Sequence, residues 1–268
     1  MMPKEIKSLQ NPILKSIIQL QKKKLARKKE RLFIVEGLRA VKEITKAFQV
    51  RYYVTTPDID RKEFLQQEGG QWVVVPQEVF KSISETEAPQ GIMAVVEMPK
   101  CDLESLEVGT EGFYLVLENL QDPGNMGTII RSAHAFGAKG IFITKGSVDI
   151  FSPKVVRATM GSLFHVPFVI DGEIEDYVEA LRQKEIPIYT TAFEEAKPIY
   201  HIHFANPLAI VIGNEGNGVS EYIKGAADYK MMIPMPGGSE SLNASVATSI
   251  CIYEVMRQQE INTYNEEM

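Results

Sequence analysis

The feature that most constrains the fold is a regular alternation of short apolar runs and helical patterns from residue 113 onward. The apolar runs are rich in Val, Ile and Tyr and have the length of strands, as in FYLVL, GIFIT and LAIVI. Helix-like stretches lie between them, which is typical of parallel strands covered by helices on both faces. We therefore predict an α/β domain with a mostly parallel sheet over residues 113–268.

The first hundred residues have a different pattern. An amphipathic helical spacing over residues 13–20 leads to the apolar run FIVEG, and the segments VRYYVTT, QWVVVP and GIMAVVEMP have the composition of strands. Residues 101–112 are polar and show no periodic apolar face. The sequence thus predicts a small mixed α/β domain over residues 1–100, a linker over 101–112 and the second domain over 113–268.

Basic charge is concentrated at the start of the chain. The net charge is −6, but the first 50 residues hold thirteen Lys and Arg against four Asp and Glu, a balance of +9. Such a run can neutralise phosphates and release counterions, which favours nucleic acid as a partner, although a solvated helix face would have the same composition. The densest part predicts an RNA-binding set of Lys22, Lys23, Lys24, Arg27, Lys28, Lys29 and Arg31.

Several classes of protein are disfavoured. No apolar stretch reaches the roughly 18 to 20 residues needed to span a bilayer, and the N-terminal residues lack the apolar core of a signal peptide, so a cytoplasmic location is expected. Two distant cysteines, Cys101 and Cys251, argue against disulfides and cysteine-based zinc sites, and the lone pair His201 and His203 is a weak metal signal, so we expect no metal. Neither a GxGxxG fingerprint nor a GxxxxGK[ST] phosphate loop is present.

Three loops rich in glycine and small polar residues follow predicted strands. They are NLQDPGNMG at 119–127, GNEGNG at 213–218 and PMPGGSESLN at 234–243. Ligands of open α/β sheets bind at the loops beyond the carboxyl ends of strands, so these loops are the candidate site. Each also has a purely structural interpretation, since Asn125 could cap a helix that starts near Gly127 and Ser241 could cap the last helix.

Taken together, the three loops resemble a known family. The segments NMGTIIRSAHAFG, IVIGNEGNGVS and IPMPGGSESLNASVATSI match, in order, the three motifs of the SpoU (TrmH) family of RNA ribose 2′-O-methyltransferases, within the SPOUT superfamily. The run FIVEG after a basic helix is similar to the start of that family's smaller substrate-binding domain. The motif positions are occupied by Asn125, Arg131, Gly213, Glu215, Ile233, Ser241, Leu242 and Asn243.

The resemblance carries expectations of its own. It implies a SPOUT domain with a deep trefoil knot over approximately residues 208–260, the cofactor S-adenosyl-L-methionine bound in the knot, and a homodimer formed through the knotted domain. It implies cofactor contacts from Gly213, Asn214, Ile233, Pro234 and Leu242. It also implies that the catalytic residues are Asn125, Arg131, Glu215, Ser241 and Asn243.

The chemistry explains why an arginine suits this site. A ribose 2′-hydroxyl is a weak acid, so its methylation needs a base, a stabiliser of developing negative charge, and alignment. A guanidinium keeps its proton, so Arg131 is better suited to anchoring a phosphate and stabilising charge, and whether it also accepts the proton is left open. Asn125 could orient Arg131 or bind phosphate, and Glu215 could hold a loop or a cation.

The predicted function is S-adenosylmethionine-dependent methylation of a ribose 2′-hydroxyl. By resemblance, the substrate is a guanosine in large-subunit (23S) ribosomal RNA. Transfer RNA is an alternative substrate, a non-catalytic RNA-binding assembly protein is an alternative function, and a dinucleotide oxidoreductase has only the strand and helix alternation in its favour. Side chains that could stack on RNA bases are Phe33, Tyr52, Tyr53 and Trp72, although a core role suits Trp72 better.

Overall fold

The computed structural model describes residues 3–64 and 69–266. They form two compact units. Unit 1 comprises Met1–Pro99 and Asp149–His165, and unit 2 comprises Lys100–Val148 and Val166–Met268. Among the described residues, none of the helices combines the length and the apolar character that crossing a bilayer requires.

Unit 1 is built on a five-stranded mixed sheet. Its strands are β1 (Lys4–Glu5), β2 (Leu32–Glu36), β3 (Val50–Thr55), β4 (Gln71–Val74) and β5 (Ile92–Glu97), in the order β1-β4-β3-β5-β2. Strand β4 runs parallel to β1 and β3, and β5 runs antiparallel to β2 and β3. The mixed α/β domain predicted from the first hundred residues is thereby confirmed.

Helices cover the sheet of unit 1. They are α1 (Pro12–Lys22), α2 (Lys24–Glu30), α3 (Leu38–Lys42) and α4 (Gln77–Ile83), with a short 3-10 helix at Arg61–Phe64. The predicted amphipathic spacing is present in α1, whose Leu14, Ile17 and Leu20 are fully buried against the sheet core. Apolar burial of this kind is the main stabilising term of a small domain.

Residues 149–165 belong to unit 1, although the sequence analysis placed them in the C-terminal domain. They form α6 (Pro153–Ala158) and a 3-10 turn at Ser162–Phe164. The ring of Phe151 packs 4.8 Å from that of Phe33, centroid to centroid, and Gly161 lies directly against the side chain of Glu43. Contacts made by a segment this far along the chain are tertiary and leave no local pattern in the sequence.

Unit 2 contains the predicted parallel sheet. Its strands are β6 (Phe113–Leu117), β7 (Gly140–Thr144), β8 (Phe168–Gly172), β9 (Ile188–Thr191), β10 (Lys197–Pro198), β11 (Leu208–Ile212) and β12 (Tyr229–Met232). The order is β10-β12-β9-β11-β6-β7-β8, and every neighbouring pair is parallel. Strand β11 therefore lies between β9 and β6, and β12 lies between β9 and β10.

The helices of unit 2 are α5 (Pro123–Ala135), α7 (Ile174–Arg182), α8 (Glu221–Ala226) and α9 (Ala244–Glu266), with 3-10 turns at Leu103–Ser105 and Ile199–His201. The expected linker 101–112 is packed, because Leu106 is buried in the unit 2 core and Leu103 and Val108 lie against it. The parallel α/β architecture is confirmed. The trefoil knot over approximately residues 208–260 stays a prediction.

Candidate active site

The candidate site lies at one edge of the unit 2 sheet. Strands β12, β9, β11 and β6 are neighbours and parallel, so the segments that follow them emerge at the same edge. These segments are 233–243, 192–195, 213–218 and 119–125. Three of them are the predicted loops, and the fourth, after β9, was not predicted to take part.

The loop at 213–218 folds back on itself. The amide of Asn214 donates to the carbonyl of Gly218 and the amide of Gly218 donates to that of Asn214, both at 2.9 Å. A Cβ on Gly213 would lie 2.1 Å from the carbonyl carbon of Gly218, closer than any side chain allows. Position 213 thus requires glycine because the chain approaches its own backbone there. This requirement does not depend on the cofactor.

Glu215 connects this loop to the segment after β6. Its carboxylate accepts hydrogen bonds from the backbone amides of Gln121 at 3.0 Å and Asp122 at 2.8 Å, and from the side-chain amide of Asn125 at 3.2 Å. Partial burial opposes ionisation, but these hydrogen bonds outweigh it, so the pKa of Glu215 is below its ordinary value. Glu215 is therefore ionised and holds two loops together, and holding a loop is one of the two roles predicted for it.

Asn125 extends the connection to the last helix. Its side-chain oxygen accepts a hydrogen bond from the side-chain amide of Asn243 at 2.8 Å. The side-chain oxygen of Asn243 accepts from the amides of Ser245 at 3.0 Å and Val246 at 3.3 Å, which caps the start of α9. A chain of hydrogen bonds from Glu215 through Asn125 to Asn243 thus joins all three motif segments.

Two capping predictions were wrong. Helix α5 begins at Pro123, and its N-cap is Asp122, whose carboxylate accepts from the amide of Asn125 at 2.7 Å. Asn125 therefore lies within the first turn and is 8% exposed, so it is not the cap of a helix starting near Gly127. At the last helix the cap is Asn243, which leaves the hydroxyl of Ser241 available at the cavity.

Arg131 lies on the exposed face of α5. It shares that face with Gly124, Thr128 and Ala135, which are also exposed and lie at spacings of three or four residues. Among the described residues its guanidinium has no hydrogen-bond or ion-pair partner. Asn125 points about 120° away around the helix, and Glu215 and Asn243 occupy its amide, so the predicted orienting of Arg131 by Asn125 is not present.

A cavity of about 420 Å³ opens beside these loops. Small-molecule sites have volumes of roughly 300 to 1,000 Å³ and combine apolar walls with a few polar groups. Here the lining residues are those of the glycine loop, apolar residues such as Met231, and the charged residues Lys230 and Glu194. The predicted residues that line it are Gly213, Asn214, Glu215, Ile233, Ser241 and Leu242.

This lining fits S-adenosylmethionine, the cofactor that the resemblance implies. The molecule has a flat apolar purine, a polar ribose and a charged amino-acid end, and the cavity offers an apolar, a main-chain and a charged counterpart. Pro234 is the exception among the expected contacts, because the wall is formed by its neighbours Ile233 and Met235. Among the described residues, no cluster of three or more His, Cys, Asp or Glu could hold a metal ion.

The predicted RNA-binding set divides into two groups. Arg27 is 4% exposed, donates to the carbonyl of Leu20 at 2.6 Å, and pairs with Asp149 at 2.7 Å. Arg31 donates to the carbonyls of Met98 and Pro99. The guanidinium group of Arg27 is thus buried and used within unit 1, which corrects its assignment to phosphate binding. The exposed members are Lys22, Lys23, Lys24, Lys28, Lys29 and Arg31, whose RNA contacts stay a prediction.

The two units differ in the sign of their net charge. Unit 1 holds nineteen Lys and Arg against thirteen Asp and Glu, a balance of +6, whereas unit 2 has a balance of −12. Of the aromatic side chains considered for base stacking, Phe33 and Tyr53 are fully buried, and Tyr53 stacks on Trp72 at 4.6 Å. These rings belong to the core of unit 1, and its net charge is positive.

Sequence reasoning missed several residues of the site. Gln121 anchors Glu215 through its amide, and its side chain donates to the carbonyl of Gly146 at 2.8 Å. Phe193 and Lys230 line the cavity. The available signal was the position of TAFEE directly after a predicted strand, since every parallel strand ends at the same edge of the sheet.

A family model described as the SpoU rRNA Methylase family matches residues 112–253, and one described as an MRM3-like substrate binding domain matches residues 11–94. The chain belongs to the SpoU rRNA methylase family. The resemblance predicted from the three motifs is confirmed, and the second match covers the basic N-terminal part.

Curated relatives support the same assignment for this SpoU-family chain. It is 33% identical to the 23S rRNA (guanosine(2553)-2′-O)-methyltransferase RlmP of Bacillus subtilis, over 94% of this chain and 99% of the relative. It is 37% identical to a 23S rRNA (uridine(2479)-2′-O)-methyltransferase of Streptomyces viridochromogenes, over 70% and 68% of the two chains.

Solved structures show the same fold. An AdoMet-bound rRNA methyltransferase from Sinorhizobium meliloti superposes with a TM-score of 0.86 at 31% identity, covering 95% of this chain and 97% of that one. The SpoU methyltransferase AviRb from Streptomyces viridochromogenes, in complex with AdoMet, gives a TM-score of 0.84 at 30% identity over 93% and 98% of the chains. Both likenesses extend over both units.

Proposed function

We propose that this chain transfers a methyl group from S-adenosylmethionine to a ribose 2′-hydroxyl of large-subunit ribosomal RNA. The observation that carries the proposal is the cavity at the carboxyl edge of the sheet, which is bounded by two of the three motif segments and braced by the third. The SpoU-family match and the AdoMet-bound neighbours support the same reaction.

The position of each residue indicates its role in the proposed reaction. When bound, the cofactor supplies an electrophilic methyl group on a positively charged sulfur. Arg131 is exposed and has no partner among the described residues, so its charge is available to hold a phosphate and to stabilise negative charge on the attacking oxygen. This function requires the proton of the hydroxyl to leave to another group, because a guanidinium is already protonated.

Glu215 is unsuited to receive that proton. Its carboxylate is occupied by two backbone amides and one side-chain amide, and its pKa is below the ordinary value, which makes it a weak base. We assign Glu215, Asn125 and Asn243 to positioning the three loops. We propose that the proton passes to solvent water, which reaches the exposed Arg131.

Unit 1 is proposed to hold the RNA. Its exposed lysines at 22–24 and 28–29 provide phosphate contacts without base specificity. We propose guanosine as the target nucleoside, because one relative that matches nearly the whole chain is named for a guanosine. A cytoplasmic location follows from a ribosomal substrate and is part of the proposal.

A homodimer through unit 2 is also proposed. Helix α9 exposes Val246, Ile250 and Tyr253, which lie at spacings of four and three residues and so form one apolar stripe. Sedimentation analysis of the wild type and of a Val246→Glu/Ile250→Glu variant tests this: we expect a dimer and a monomer respectively. A monomeric wild type at micromolar concentration would contradict it.

The reaction is tested by transfer of labelled methyl groups to unmodified ribosomal and transfer RNA. We expect label in large-subunit RNA, on ribose, with loss of transfer in Arg131→Ala and partial retention in Arg131→Lys, which keeps the charge. Label in transfer RNA alone would replace the proposed substrate. A wild type that binds RNA and S-adenosylhomocysteine but transfers nothing to any RNA would favour a non-catalytic assembly protein.

A further inference from the structure

The segment after β9 lines the cavity and is attached to β12 near both of its ends. At its start, the amide of Ala192 donates to the carbonyl of Met231 in β12 at 3.0 Å. At its end, the carboxylate of Glu195 pairs with the ammonium group of Lys230, also in β12, at 3.0 Å. The two residues between these attachments, Phe193 and Glu194, both line the cavity.

Phe193 is unusually exposed for its type. It is 67% exposed, more than any other large apolar side chain described in unit 2. A phenyl ring has no polar group to satisfy with water, so leaving it exposed forfeits the free energy of burial. An exposed aromatic ring in the lining of a cavity therefore indicates that an occupant of the cavity covers it.

We infer that Phe193 stacks on the adenine ring of the bound cofactor. The inference rests on the proposed function, which makes the occupant an S-adenosyl compound. Of its parts, the purine is the flat, apolar one that an aromatic face prefers. The amino-acid end carries two charges and needs charged or polar partners, which a phenyl ring lacks.

Local charge favours the cofactor over RNA as the partner of Phe193. The ring is followed directly by Glu194 and Glu195, and Glu221 lies at the start of the neighbouring helix α8. Lys230 and Lys224 balance two of these three carboxylates. The remaining negative charge disfavours a phosphate backbone beside the ring and is indifferent to a neutral purine.

The main test is the affinity for S-adenosylhomocysteine, measured by calorimetry on the full chain. We expect Phe193→Ala to raise the Kd about tenfold, equivalent to about 1.4 kcal/mol. The matched control is Tyr200→Ala, since Tyr200 is 62% exposed and does not line the cavity. Its Kd should equal that of the wild type.

A second variant identifies which part of the ligand covers residue 193. The chain has one tryptophan, Trp72, which lies in unit 1, so a Trp72→Phe/Phe193→Trp variant reports on position 193 alone. We expect S-adenosylhomocysteine and adenosine to quench its fluorescence and methionine to leave it unchanged. Quenching by methionine without quenching by adenosine would overturn the assignment to adenine.

The outcomes separate the inference from the function beneath it. If the wild type and Phe193→Ala bind S-adenosylhomocysteine equally, the inference is wrong and the proposed function stands. A raised KM for RNA at an unchanged Kd for S-adenosylhomocysteine would assign Phe193 to RNA and overturn the inference as well. A wild type that binds no S-adenosylhomocysteine would overturn the proposed function and the inference with it.

Discussion

Replacement of Gly213 by alanine tests the intrachain origin of the glycine requirement. The added Cβ would lie 2.1 Å from the carbonyl carbon of Gly218 and 2.3 Å from the amide nitrogen of Val219. Carbon atoms in contact are about 3.5 Å apart, so the opposing backbone must move by roughly 1.4 Å. Backbone atoms cannot rotate away as the end of a flexible side chain can, so the whole loop must shift.

The magnitude follows from what that shift breaks. The paired hydrogen bonds between Asn214 and Gly218 are both 2.9 Å long and are lost when the two chains separate. At about 1 kcal/mol for each bond and about 1 to 3 kcal/mol for overpacking, Gly213→Ala should destabilise the loop by about 3 to 5 kcal/mol. Because the loop lines the cavity, affinity for S-adenosylhomocysteine should fall at least 100-fold.

Gly216→Ala is the matched control in the same loop. A Cβ there meets only the side-chain oxygen of Asn214, at 3.6 Å, which is an ordinary contact. Calorimetric titration with S-adenosylhomocysteine and thermal unfolding should show near wild-type behaviour for Gly216→Ala and a large loss of binding for Gly213→Ala. If Gly213→Ala binds as tightly as Gly216→Ala at an unchanged Tm, the close approach does not determine the residue at position 213.

Three further predictions concern charge. Folding lowers the pKa of Glu215, so its stabilisation is present at neutral pH and is lost as the pH falls through the folded pKa. Resistance to urea should therefore decrease on acidification below about pH 4.3 more in the wild type than in Glu215→Gln. Equal decreases in the two proteins would contradict this. Arg131→Ala should reduce methyl transfer, measured as turnover, about 100-fold or more. It should change the free energy of unfolding, measured by denaturation, by less than about 0.5 kcal/mol. A large loss of stability would show a structural role for Arg131. Arg27→Met should cost about 3 to 5 kcal/mol, because it leaves the carboxylate of Asp149, which is only 13% exposed, without its partner. Lys29→Ala should keep stability and reduce the salt dependence of RNA binding. Equal stability of the two variants would refute the burial argument.

The fold was predictable to the extent that its signals were local. The alternation after residue 113 predicted the parallel sheet, and the rule that ligands bind beyond strand ends identified three of the four segments at the site. The true start of α5 was also within reach, because Asp122 followed by Pro123 is the standard pattern of an N-cap and a first helical residue.

Other features depend on distant residues and have no local signal. Arg27 is indistinguishable in sequence from the lysines around it, and only Asp149, 122 residues away, shows that its charge is buried. The contact between Arg27 and Asp149 also joins residues 149–165 to unit 1. The helical pattern of these residues is compatible with either domain, so the prediction that they belong to the second domain was wrong. Long-range pairing of this kind follows from the packed structure and is invisible to periodicity.

The site residues act mainly on one another. Glu215, Asn125 and Asn243 form one hydrogen-bonded chain between loops that follow β11, β6 and β12, and Gly213 allows the first of these loops to close. A ligand that orders the loop at 213–218 therefore also acts, through Glu215, on the first turn of α5, the helix that carries Arg131. The cofactor cavity and Arg131 are thus coupled through side chains that hydrogen-bond to one another. Asn125→Ala should therefore weaken cofactor binding as well as turnover, although Asn125 does not line the cavity. A loss of turnover at an unchanged Kd for S-adenosylhomocysteine would instead place Asn125 at the RNA, and the coupling argued here would be wrong.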